Sequence, residues 1–138
     1  VHGNVLALRL TPEVLDSLAR GRSVNRVHLE GRVGTHPETR NVSQTLKATT
    51  FRLVTAESWG GPDRPKYHPN IVTIEVLGKD SDRAGGFQVG DWVMVDGYIR
   101  TEVRGRDEDI RIRTYSVKGY DPDGERGVHE RGKAGPTA

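Results

Sequence analysis

From Val24 onward apolar side chains recur at every second position, and that alternation is repeated in five separate stretches; no other property of the chain constrains its fold as much. Successive side chains of a strand point to opposite faces, so one apolar and one polar set mark a strand buried on a single side. In the first stretch Val27, Leu29 and Val33 face one way, and Arg26, His28, Glu30 and Arg32 the other. The second puts Phe51, Leu53 and Thr55 inward with Thr50, Arg52 and Val54 outward, and the third sets Val72, Ile74 and Val76 against Ile71, Thr73, Glu75 and Leu77. The fourth places Val93 and Val95 opposite Trp92 and Met94, and the fifth runs from Ile110 to Val117. Turn-rich segments lie between them: Gly60 to Pro65, Lys79 to Gly86 and Arg104 to Asp107. Five short strands with long connections predict an all-β Greek-key barrel.

The ends differ from this middle. Residues 1–23 form an extension with a short apolar run and a helix, for which Thr11 can cap, Pro12 suits the first position and Gly21 is placed to stop it. Its stripe of Val14, Leu15, Leu18 and Ala19 is too short to be stable alone. The helix is therefore expected to seal an exposed edge of the domain or to dock on another protein. Residues 24–118 form the barrel domain, and 119–138, rich in glycine, read as a flexible tail without a core. The residues ahead of the barrel, starting at Val1, suit a chain trimmed of a targeting peptide, although a cloning fragment would look the same.

Composition removes several function classes. The 138 residues fit one domain. Cysteine is absent, which excludes disulfides, thiolate metal sites and a cysteine nucleophile. No apolar run approaches the ~18 residues of a membrane helix, so no membrane partner is expected. The net charge of +2 is too small to argue for a polyanion, so the placement of the charges must carry that argument. The histidines at 2, 28, 36, 68 and 129 show no ligand spacing, and Asp107, Glu108 and Asp109 would alternate between strand faces. The run Asp121 to Glu125 has its glycine in the wrong place for a calcium loop. Neither enzymatic activity nor a metal or cofactor is expected.

Three segments go further: Arg22 to Gly34, Thr50 to Trp59, and Val89 to Thr101. In order and approximate spacing they resemble the mitochondrial and bacterial single-stranded-DNA-binding proteins, over roughly residues 22 to 118. The resemblance implies a five-stranded oligonucleotide-binding barrel, a homotetramer, and sequence-independent binding of single-stranded DNA during replication. It implies the mitochondrial matrix, with a bacterial cytoplasm as the alternative. RNA stays open as a ligand, because stacking is indifferent to the sugar.

Candidate contacts follow from the same resemblance. Trp59 stands where the family places a base-stacking tryptophan, and Arg100, Arg104, Arg106, Arg111 and Arg113 lie on the hairpin that grips the strand. Arg111 and Arg113 also share one face by parity alone, amid the acids Glu102 and Asp107 to Asp109. Trp92 and Tyr98, outward on the fourth strand, either stack bases or fill a subunit interface. Tyr67, in a proline-flanked loop, is a further candidate. Arg32, Arg40, Lys47, Arg52 and Lys79 supply the remaining phosphate contacts. The chain also departs from the family: the Trp-His-Arg of its third strand is here Ile71-Val72-Thr73, a later aromatic is Leu77, and the hairpin aromatic aligns nearest to Arg104. Each missing platform removes ~1–3 kcal/mol of stacking, unless Trp92, Tyr98 or Tyr115 compensates. Ile71 and Leu77 also fit a protein interface. A structural subunit of a large ribonucleoprotein or RNA-editing assembly, docked through Trp92 and the terminal helix, is therefore the rival reading.

Overall fold

The alternating stretches are strands, longer than the alternation alone outlines. A computed structural model describes residues 7–123, so the predicted tail from residue 124 on lies outside the described residues. The strands are β1 (Val27–Val33), β2 (Glu38–Asn41), β3 (Lys47–Trp59), β4 (Lys66–Leu77), β5 (Trp92–Arg104) and β6 (Asp107–Gly119). They hydrogen-bond in the order β1-β5-β6-β4-β3-β2. All neighbours are antiparallel except β4 and β6, which run parallel through Thr73–Arg111, Ile74–Ile112 and Glu75–Arg113. A short seam from β1 back to β3, Arg32 opposite Val54 and Val33 opposite Leu53, closes β1, β3, β4, β5 and β6 into the expected five-stranded barrel.

The inward-facing residues are those the alternation picks out. Val33, Leu53, Ile74, Val76, Val93 and Val95 are fully enclosed, and Phe51 meets Phe87 edge to face at 5.8 Å. Gly31 has no room for a side chain because the Val54 carbonyl lies against it, and this close crossing lets the seam form.

Two elements were not expected. The four-residue β2 pairs with β3 from Glu38–Thr50 to Asn41–Lys47, and every residue in it is exposed. The segment Lys79 to Gly86, read as a turn, contains helix α2 (Asp80–Gly85). Ser81 and Ala84, three positions apart and hence on one helical face, are its buried residues. The Thr49 hydroxyl bridges Ser81 at 2.7 Å and Thr39 at 2.6 Å, so both new elements are fastened to β3 by one buried threonine.

The N-terminal extension begins as predicted. Thr11 accepts the Val14 N–H at 3.2 Å, Pro12 starts helix α1 (Pro12–Ser17), and a wider turn, Leu18–Arg22, ends around Gly21 at φ 96°. The expected seal is not made: none of these residues is buried, and Leu15 and Leu18 of the apolar stripe are exposed. Asn25 ties the extension to the barrel, donating to the Ile99 carbonyl at 2.7 Å and accepting the Ile99 N–H at 2.9 Å.

A bulge in the β5–β6 ribbon shapes the outer surface. Asp96 pairs with Ser116 and Gly97 with Thr114, which leaves Tyr115 as the extra residue. The Arg113 carbonyl lies where a Cβ on residue 97 would stand, so only glycine fits there.

Candidate nucleic-acid interface

Register places a continuous set of side chains on the outer face of the barrel. The pairs Thr50–Glu75, Arg52–Thr73, Val54–Ile71 and Ser58–Tyr67 join β3 to β4. Glu75–Arg113 and Thr73–Arg111 carry the face to β6, and Arg113–Tyr98 and Arg111–Arg100 carry it to β5. Of the predicted contacts, Arg52, Arg100, Arg111, Arg113 and Tyr98 therefore come together on one face.

Tyr115 joins them. The bulge leaves it 63% exposed, with its ring 5.3 Å from that of Tyr98 and tilted by 38°. Such a half-exposed aromatic pair beside guanidiniums offers a base a flat surface and its phosphate a charge. A shallow cavity of about 250 Å³, lined by Thr35, His36, Glu38, Thr50, Phe51, Arg52 and Thr73, opens beside Arg52 on the same face. Tyr67 (68% exposed) and Ile71 extend the face along the β3–β4 hairpin.

The arginines are held from beneath. Glu75 alternates with the core residues Ile74 and Val76, yet its side chain is only 5% exposed, because arginines cover it. Arg113 binds Glu75 Oε1 through Nε at 3.0 Å and Nη2 at 2.8 Å. Arg111 reaches Oε2 at 3.3 Å and Asp109 at 2.8 Å, and Arg40 approaches Oε2 at 3.6 Å. Burial works against charge on Arg113, but the hydrogen bond and the charge of Glu75 outweigh it and raise the guanidinium pKa.

The other candidates lie elsewhere. Trp59 is half-exposed opposite Lys66, but its parity is that of Phe51 and Leu53, so it stands on the opposite face of the hairpin ribbon from Tyr67. Lys47 pairs with Asp82 at 3.7 Å, and Lys79 precedes the first residue of α2 without a side-chain capping bond. Arg104, opposite Asp107, and Arg106 in the turn lie at the far end of the β5–β6 hairpin. Arg32 stacks on Trp92, its guanidinium carbon 4.8 Å from the ring centre, and Tyr120 meets the same indole edge-on at 6.1 Å.

Beside that group His28 bridges Asp96 and Glu30, at 2.7 Å to each. The hydrogen bond to Glu30, then that to Asp96, raises the histidine pKa above its ordinary 6.5, and the same histidine lowers that of Glu30. Burial first, and the hydrogen bond to Glu30 second, raise the Tyr120 pKa. Among the described residues no group of histidines and carboxylates is arranged to hold a metal ion.

A closed five-stranded barrel with a basic, aromatic outer sheet defines the oligonucleotide-binding class of folds. The model of the single-strand binding protein family matches residues 24–119, and the chain belongs to that family. Among curated proteins it is 43% identical over 66 residues to the mitochondrial single-stranded DNA-binding protein of Rattus norvegicus, a match covering 48% of this chain and 44% of that one. It is similarly 43% identical over 60 residues to the Pongo abelii protein of the same name, covering 44% and 40%. The matches thus span under half the length of these relatives. Among solved structures, a Plasmodium falciparum single-stranded DNA-binding protein in complex with single-stranded DNA superposes with a TM-score of 0.62 at 24% identity, covering 72% of this chain and 97% of that one. The small single-stranded DNA-binding protein of Streptomyces coelicolor gives 0.57 at 23%, covering 69% and 93%. At these identities both bear on the fold.

Proposed function

We propose that the chain binds single-stranded DNA without sequence preference, across the outer face that carries Arg52, Arg111, Arg113, Tyr98 and Tyr115. The single observation behind this reading is the half-exposed Tyr98–Tyr115 pair set beside Arg113 on the sheet of a single-strand binding barrel. Stacking on rings and neutralisation of phosphates are the two sequence-independent means of holding an unpaired strand. The relatives' names support single-stranded DNA as the ligand and the mitochondrion as the setting, and a role in replication is part of the reading proposed here. The tyrosine pair supplies the platforms that Ile71 and Leu77 do not.

The finer parts of the reading have their own support. Residues 24–118 act as the binding domain, consistent with the span of the family match. Assembly into a homo-oligomer, a tetramer in this reading, is favoured by the edge of β1 from Val27 to Gly31. It pairs with β5 on one side and has no strand partner on the other among the described residues. The exposed Leu15 and Leu18 add apolar surface that such assembly, or a separate protein partner, would cover.

Titration of fluorescently labelled oligothymidylate, with solution mass measured alongside, tests the proposal. Expected is binding that weakens as salt rises, with a log–log slope of about −0.7 per phosphate neutralised. No binding at low salt would overturn it and favour the structural-subunit reading.

A further inference from the structure

We propose that Glu75 is a built-in competitor of the nucleic-acid backbone: a resident carboxylate that takes up part of the arginine charge and so sets how tightly the face holds a strand. The inference rests on the single-strand reading above and adds to it the residue that tunes the affinity.

The geometry carries the argument. Glu75 sits near the middle of the face, between Thr50 on β3 and Arg113 on β6 in register, and receives three guanidiniums from two strands, Arg40 from β2 and Arg111 and Arg113 from β6. A carboxylate oxygen presented to several guanidinium N–H groups has the chemistry of a bound phosphate oxygen. A buried ion pair is also an inefficient means of stability, since the loss of hydration offsets much of the attraction. An apolar residue would pack at this position between Ile74 and Val76 without that loss. Three guanidiniums against Glu75 and Asp109 leave one net positive charge at the centre of the face.

The arginines are not fully occupied. A guanidinium has five N–H donors, and Arg113 directs Nε and Nη2 to Glu75, while Arg111 directs Nε to Asp109 and Nη1 to Glu75. Each keeps donors for an incoming phosphate, and the side chains are 20% and 21% exposed. A phosphate can therefore join the cluster without displacing Glu75, but it does so against a negative charge already there. The result is a face that grips and releases.

The test is Glu75→Gln in the full chain, titrated with oligothymidylate over a series of salt concentrations. The amide keeps the shape and removes the charge. One added unit of positive charge a few ångströms from a phosphate should tighten binding ~3-fold or more near ~0.1 M salt, and the salt dependence should steepen by up to ~0.7 in slope. Asp109→Asn, nearer the solvent, should act in the same direction to a smaller extent, and it carries the test should Glu75→Gln fail to give a cooperative melt. Unchanged or weaker binding by a folded variant, with no steeper slope, overturns the proposal. A wild-type chain that binds oligothymidylate beside such variants defeats this inference alone; a wild-type chain that binds none defeats the functional reading as well.

Discussion

Two parts of the outer surface are built from the same residue types and differ in what they leave available. Around Glu75 the acid lies beneath and the arginines and tyrosines above, so cations and rings meet solvent. Around His28 the order is reversed: Glu30 and Asp96 are about half exposed, and the ring of Trp92 is taken up by Arg32 and Tyr120. Composition would rank the two regions alike, each with two aromatic rings in contact and at least one arginine. Layering separates them, and only the first presents what an unpaired, negatively charged polymer can use.

The most severe way to break this contrast is to remove the bulge that turns Tyr115 outward. Gly97→Ala forces a Cβ into the Arg113 carbonyl, and overpacking against backbone should destabilise the fold by ~1–3 kcal/mol or more, seen as a lower melting temperature with weaker oligonucleotide binding. Next in size, Tyr115→Ala should weaken oligothymidylate binding by ~1–3 kcal/mol, the worth of one stacking platform. Trp92→Ala should lower thermal stability and leave binding nearly unchanged. Equal losses of binding in the two variants would erase the distinction between the regions.

The smallest effect concerns pH. His28 has a raised pKa when folded, so the stability it adds as a cation between two carboxylates is complete below its ordinary 6.5 and is lost as pH rises through the raised value. Melting temperatures across that range should decline in the wild type and less so in His28→Asn. Oligonucleotide affinity should respond to pH alike in the two proteins, because His28 and its carboxylate partners lie apart from the proposed binding face. A matching decline of melting temperature in both proteins would show that the bridge contributes nothing.

Much of the barrel could be read from alternation, because a buried face imposes its period directly on the sequence. Val33, Leu53, Ile74, Val76, Val93 and Val95 are inward on that ground and prove to be enclosed. Strict alternation sets Tyr115 on the face of Arg113 and equally on that of the enclosed Val117, so its outward placement depends on the bulge and was not legible from parity alone. Strand β2 left no trace, since Glu-Thr-Arg-Asn is exposed on both faces and carries no period. Helix α2 is too short to show one, with a single buried apolar residue, Ala84. The cover over Glu75 could not be foreseen from its own strand, because it comes from β6, which arrives parallel to β4 from the far end of the chain.

The seam between β1 and β3 bears on how ligand and scaffold communicate. Two residue pairs and little else fasten the rolled sheet there, and the fastening continues directly through Arg52, whose carbonyl accepts the Gly34 N–H at 2.7 Å and whose own N–H is donated to Thr35 at 3.0 Å. The residue whose guanidinium is proposed to meet a phosphate is thus also a stitch in the closure of the cylinder. An anion that immobilises Arg52 would draw the stitch tight, and a cylinder that loosens would let the anion go.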